Sequence, residues 1–485
     1  MLNFNTPDPV SESGFGLIRN KYMSGRVAAA VLYHGGIGEI RYYGSQPMGA
    51  NVLFKANEVG AFSKLFKLQL VIDDKVYHPE FSNTEHYPFG FRSRFQAEDV
   101  NVIHELIVLE DSIAQRITVV ENPSSRIIKA RLLLHSHLRH QSNLKNWSDF
   151  EIDDACEVLS GQVLDMAPPE KNNHWSLTQG VGKTTQHSAS TYIKVTGSGK
   201  TDVSYVKHGF KYYIETAAVD DKCTLFVSFG HDANAHEARF AQLKETVNNE
   251  CDQRYEAYSA LLKSQTQIKT GDIVLDSALA VANPSVLNLE VTDRPGAIRA
   301  SQDYWVWGWD SLVHADSILL SGNIGTVKNM LTFYKETASE EKGVAHALDI
   351  HFNTFHSMAF GAQCLYITTL HNYWSVTGDD AFVREIFPFC RWILDHAIED
   401  IDPETGLTEG VAFYPDFPEC VGEDGHDISI INNSLFYQAL RVMAVFGRSF
   451  ADTEYAEELD AHAEVTSASR TASAGGGGPC RTGKR

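Results

Sequence analysis

The sequence predicts a multidomain β + α protein, with a large N-terminal β-sandwich followed by a domain of paired helices. Three observations carry this prediction. Short β-branched and aromatic segments fill the first 232 residues. Beyond Asp272 the apolar residues fall at helical rather than alternating spacing. At 485 residues the chain is also too long for one ordinary core.

The strands come first. Segments 112–120, 127–135, 212–216 and 224–229 are separated by turn-forming clusters such as Asn122-Pro123-Ser124-Ser125 and Gly197-Ser198-Gly199-Lys200. In the second segment Lys129, Arg131 and Leu133 fall on one face, and Ala130, Leu132 and Leu134 on the other. Many such strands in sequence predict two packed sheets. The polar, helix-compatible stretch 233–264 reads as a helical linker. Helices are then predicted over 309–320, 324–337, 357–377, 381–399 and 430–446, with a further helix-like stretch at 453–467. Gly322 and Gly378 occupy helix C-terminal positions, and Asp379 and Asp380 are candidate caps for the next helix. The expected division is a sandwich at 1–232, a helical linker at 233–271, a helical domain at 272–469 and a tail at 470–485. The tail, RTASAGGGGPCRTGKR, lacks periodicity and is expected to be disordered. A natural tail, an expression scar and a shifted reading frame would each produce it.

Composition removes several function classes. No apolar run of about 18 residues exists, so no membrane span is expected. The opening MLNFNTPDPVSESGFG lacks the basic and apolar regions of a secretory signal. Lys and Arg number 41 against 62 Asp and Glu, for a net charge of -21, which argues against a nucleic-acid partner. The seven cysteines are scattered without a CxxC pair, the usage of a reducing compartment. A cytoplasmic location is expected, with no cofactor and no metal.

Three apparent motifs do not hold. Gly182-Lys183-Thr184 lacks the earlier glycine of a phosphate loop, because position 177 is Leu177. On a strand His135 and His137 share a face that His140 does not, so the three make a poor metal set. His104-Glu105 begins like a zinc-protease motif, but Val108 stands where its second His should be.

Two segments carry chemistry. The first is Asp303-Tyr304-Trp305-Val306-Trp307-Gly308-Trp309-Asp310-Ser311. Aromatic faces stack on the apolar face of a sugar ring, and a carboxylate among them accepts hydrogen bonds from hydroxyls. Asp310 would sit at a helix start, where the dipole favours its ionised form. Core packing of Trp305, Trp307 and Trp309 is the alternative. The second segment, from Tyr414-Pro415-Asp416-Phe417-Pro418-Glu419 to Glu423-Asp424-Gly425-His426-Asp427, is a proline-interrupted acidic loop. Burial beside Tyr414 and Phe417 would raise a carboxyl pKa, as a general acid requires. A solvated acidic loop is the alternative here.

At these segments the chain resembles the six-hairpin glycosidases, the grouping of glucoamylases, processing α-glucosidases and the glucosidase part of glycogen-debranching enzymes. Trp307-Gly308-Trp309-Asp310-Ser311 is similar to the family's W-x-W-D-S segment, and Asn433-Ser434-Leu435-Phe436-Tyr437-Gln438-Ala439-Leu440 to its N-A-L-W-Y-N-A-L helix. The resemblance implies a β-sandwich followed by an (α/α)6 toroid with the site in its funnel. It implies that Tyr304, Trp305, Trp307 and Trp309 line a sugar site and that Asp310 grips the sugar. Asp416 takes the place of the general acid, with Glu419 and Glu423 as rivals. Twelve helices of about 12 residues plus loops need roughly 300–400 residues, about twice the stretch 272–469. No match to the family's general base is found. The chain thus reads as an inverting glycosidase cut short, acting on α-glucosides or small gluco-oligosaccharides. A non-catalytic sugar-binding protein and an inactive truncation product are the rivals.

Overall fold

The computed structural model describes residues 18–23, 27–32, 37–42, 52–56, 67–77, 84–135, 138–140, 146–147, 150–152, 159–165, 189–199, 201–208, 211–230, 232–266, 268–290, 294–299, 306–338, 343–348, 354–356, 360–399, 401–408, 410–411, 426–427, 430–450 and 452–475. The chain divides into two units, Met1–Asp293 and Arg294–Arg485.

Among the described residues the first unit contains antiparallel sheets of six, eight and five strands. The eight- and five-stranded sheets pack face to face. Ile113, Ile117, Leu225 and Val227 of the larger meet Leu70, Ala130, Leu132 and Ile214 of the smaller in one apolar core. The alternation holds as far as Leu132: Ala130 and Leu132 are buried while Lys129 and Arg131 stay partly exposed, but Leu133, on the face of Lys129 and Arg131, is buried too. On that outer face Arg131 Nε donates to Glu215 Oε2 at 2.6 Å, its partner in the strand register.

The 233–264 stretch is one helix, α1 (Ala233–Ser264), whose first turn is capped by Asp232 accepting from the Ala235 amide at 2.8 Å. It packs on the other face of the eight-stranded sheet. Phe240, Leu243, Val247 and Cys251 of α1 meet Phe89, Ile107, Ala114 and Phe226. That sheet is therefore apolar on both faces beneath the helix, and its strands there do not alternate cleanly. A second helix, α2 (Ile273–Leu287), is capped by Asp272, which accepts from the Val274 amide at 2.8 Å. His104 is buried against Gln115 at 3.2 Å, a packing role rather than a metal-binding one. Gly182-Lys183-Thr184 and the side chains of His135, His137 and His140 lie outside the described residues.

The second unit is built of helical hairpins: α3 (Gly308–Leu320) with α4 (Ile324–Glu336), α5 (Phe360–Thr377) with α6 (Asp380–Glu399), and α7 (Ile430–Ser449) with α8 (Thr453–Gly475). Gly322 and Gly378 adopt positive φ after α3 and α5. The cap of α6 is Asp379, which accepts from the Phe382 amide at 3.2 Å; Asp380 is its first helical residue. α8 runs on to Gly475, so the stretch expected as tail from 470 begins in helix, its small side chains being compatible with one. Among the described residues these are three hairpins, half the number in the ring that the resemblance implies.

The first helices of the hairpins pack side by side, α3 on α5 and α5 on α7. Their contacts advance together along the chain. Trp309 lies against Gly361 and Asp316 bonds Asn372 at 2.8 Å; Phe360 meets Phe436 and His371 meets Phe446. The three helices are thus parallel, with their N-termini at one end.

Candidate functional site at the parallel helix N-termini

The aromatic segment enters α3 through a short strand, Val306–Trp307, paired antiparallel with Ala347–Leu348, which in turn pairs with Thr354–His356. Gly308 follows at a point of close backbone approach. Its amide donates to the His346 carbonyl at 2.6 Å, and any Cβ there would collide with the Ala345 carbonyl. This fixes the direction in which the next two residues leave the strand.

Trp307 is half-buried, its ring edge-to-face with His346 at 5.4 Å between centroids. Trp309 is also half-buried and lies against Gly361 in the first turn of α5, with Leu435 of α7 close by. The indole thus packs on the first turn of the neighbouring helix α5. Asp310 is exposed in the first turn of α3, at the helix end that favours an anion. Beneath it Tyr334 is fully buried, and its hydroxyl donates to the Trp307 carbonyl at 3.5 Å. Burial pushes the Tyr334 phenol well up from its ordinary value, and the nearby Asp310 charge acts in the same direction.

The acidic loop has a defined root. Ile401 and Thr408 form an antiparallel bridge, and Gly410–Val411 pairs with His426–Asp427 just before α7 begins at Ile430. The two paired ends, Gly410–Val411 and His426–Asp427, thus stand just before α7, at the same end of the helices as Asp310. Tyr304, Trp305, Asp416, Glu419 and Glu423 themselves lie outside the described residues. Trp307, Trp309 and Asp310 stand at the start of α3, at the same end of the helices as the paired Gly410–Val411 and His426–Asp427.

Sequence reasoning missed Tyr334, His346 and Gly361. Gly361 offered a signal, a glycine in the first turn of a predicted helix, where only close approach by a neighbour explains it. Tyr334 and His346 offered none, since their partners are set by tertiary pairing. Among the described residues no group of three or more His, Cys, Asp or Glu is placed to hold a metal ion, and no helix is long and apolar enough to cross a membrane.

No protein-family model matches the sequence, and no curated protein matches it. Solved structures do. A bacterial glucoamylase complexed with acarbose aligns with a TM-score of 0.56 at 12% identity, over 95% of this chain and 68% of its own. A putative kojibiose phosphorylase from human microbiome aligns with a TM-score of 0.50 at 11% identity, over 93% of this chain and 67% of its own. The chain spans about two thirds of the length of each. The chain thus shares its fold with these two solved structures.

Proposed function

We propose that this chain is a carbohydrate-active protein of the glycoside hydrolase type, binding the terminal sugar of an α-glucoside at the N-termini of α3, α5 and α7. The observation that carries the reading is the exposed Asp310 beside half-buried Trp307 and Trp309, at the helix end where the acidic loop is rooted. The shared fold with a glucoamylase complexed with acarbose supports it. In this reading Tyr304, Trp305, Trp307 and Trp309 form the apolar wall, and Asp310 accepts hydrogen bonds from sugar hydroxyls. Asp416, or Glu419 in its place, protonates the leaving oxygen. Inversion also needs a carboxylate to activate water on the opposite face of the sugar. No residue of this chain is assigned that role, which favours sugar binding without turnover as the second reading.

The test is a panel of α-glucosides given to the 485-residue chain, with and without inorganic phosphate, the released anomer being read by NMR. Acarbose binding is measured in parallel by calorimetry. Binding that is lost in Asp310→Asn supports the sugar site. Turnover of maltose that falls in Asp416→Asn, while α-glucosyl fluoride is still cleaved, identifies the acid, because fluoride leaves without protonation. Binding with no turnover selects the second reading. Neither binding nor turnover by the folded chain would refute both.

A further inference from the structure

The three parallel helices repeat one feature that the sugar-site reading does not use. In each, the fourth helical residue is buried and polar and is bonded to the backbone of the preceding loop. Ser311 of α3 donates to the Ile298 carbonyl. Gln363 of α5 accepts from the Val344 amide at 2.9 Å and donates to the Val344 carbonyl at 2.5 Å. Asn433 of α7 accepts from the Thr408 amide at 2.9 Å and donates to the Thr408 carbonyl at 3.1 Å. The three side chains belong to residues 0%, 8% and 1% exposed, so each would be costly to bury without such bonds.

The loops repeat as well. One or two residues before each bonded position stands a glycine with positive φ: Gly296, Gly343 and Gly406. At Gly343 an added Cβ would sit 2.5 Å from Gln363 Oε1, so the glycine is what lets the carboxamide reach the backbone. The loop gripped by Gln363 contains His346 and Ala347, which bond Gly308 and pair with Trp307. The loop gripped by Asn433 leads directly into Gly410–Val411, the root of the acidic excursion. A carboxamide that both donates to and accepts from one residue fixes that peptide in position and orientation, which a single bond does not.

We propose that Ser311, Gln363 and Asn433 are positioning residues, a three-fold repeated set of clamps that hold the loop backbones at the sugar-binding end of the helices. The inference rests on the sugar-site reading for its consequence, weaker sugar binding when a clamp is removed. It does not rest on that reading for the clamps themselves.

Two variants of the full chain, Gln363→Met and Asn433→Leu, remove the bonds while keeping side-chain size. Hydrogen exchange should accelerate about tenfold or more at Val344 in the first and at Thr408 in the second, each without change at the other's loop. Acarbose affinity should fall several-fold in Gln363→Met. Gln363→Glu supplies a readout that general destabilisation would not give. Its protonated carboxyl can accept from the Val344 amide and donate to the Val344 carbonyl, whereas the ionised form cannot donate. Its acarbose affinity should therefore recover towards that of the unaltered chain as pH falls, while Gln363→Met stays weak. Unchanged exchange at Val344 and Thr408 would overturn the proposal. So would acceleration spread evenly over the second unit, or faster local exchange with affinity untouched. Should the unaltered chain bind no acarbose, the sugar-site reading fails, and the exchange measurements alone decide the clamps.

Discussion

In the first unit a buried arginine and glutamate face each other as charges; in the second, three buried neutral side chains face backbone. Beneath α1, Arg116 bonds Glu105 at 2.5 Å and Asp252 at 2.6 Å, while Arg92 reaches the other Glu105 oxygen at 2.9 Å. Ser311, Gln363 and Asn433 instead spend their hydrogen bonds on loop peptides. The first arrangement ties a helix to a sheet; the second shapes the end of a helical domain where a ligand is read to bind. Burial shifts ionisation in both units, raising the Tyr334 phenol beneath Asp310 and lowering two histidines of the first unit. Burial holds His104 and His236 down at about 4, whereas Asp310 is exposed. A strongly perturbed group is often a guide to function; in this chain the perturbed histidines lie in structural packing.

The sharpest way to break the contrast is to remove one member of the charged group. Arg116→Met leaves Glu105 buried without its closest partner, and loss of one member of a buried pair costs roughly 3–5 kcal/mol. Urea unfolding should show that loss in the first unit. The double change Arg116→Met with Glu105→Gln should recover much of it. A single variant as stable as the unaltered chain would mean that the network is incidental.

The same contrast predicts a pH dependence. His104 and His236 have folded values of about 4 against an ordinary 6.5, both chiefly because burial disfavours the charged ring. The unfolded chain therefore binds more protons between these values. The stability they contribute is complete above pH 6.5 and is lost as pH falls towards 4. At pH 5 each histidine should have cost the fold about 2 kcal/mol. Denaturant midpoints at pH 7 and pH 5 measure this directly, and His104→Gln should flatten the slope. A slope identical in that variant would remove His104 from the account.

A smaller effect is expected where aromatic and glycine meet. Gly361→Ala places a methyl group against the Trp309 ring, and overpacking of this kind costs about 1–3 kcal/mol. If Trp309 helps form the sugar wall, acarbose affinity should fall with the stability. Affinity that is kept while stability drops would assign Trp309 to packing alone.

How much of this the sequence disclosed follows from what each feature depends on. The helices from 309 onward were legible because their apolar spacing is local, and α1 ends at Ser264, where the polar helix-friendly stretch was read to end. The sandwich was legible for the same reason, through Ala130 and Leu132 against Lys129 and Arg131. Strands such as Val306–Trp307 and Gly410–Val411 were not, since two residues carry no period. Glu105 with Arg116 was invisible because strand register sets that pair, and the register Arg116↔Glu105 is a tertiary fact. At the site, Trp307, Trp309 and Asp310 stood out by composition. Ser311 and Asn433 fell within the quoted motifs, but the clamping role of these two and of Gln363 did not show, because a Ser, Gln or Asn in the first turns of a helix resembles any other until the loop it grips is placed.

The smallest predicted effect separates the two kinds of buried polar group most cleanly. Ser311→Ala deletes the neutral bond to the Ile298 carbonyl and a contact with the Tyr334 hydroxyl, and removes no charge. A bond of this class contributes about 1 kcal/mol net, so the second unit should lose little in denaturant unfolding, well below the Arg116→Met change. The consequence should be local. Gly296 and Ile298 precede Trp307 and Asp310 in the chain, and freeing the Ile298 carbonyl should loosen the backbone there without unfolding α3. Acarbose affinity should therefore fall by more than the stability change alone would produce, with the midpoint barely moved. Were the loss as large as that of a charged partner, the hydroxyl would be holding the domain together, and the distinction between the charged pair and the neutral clamps would disappear.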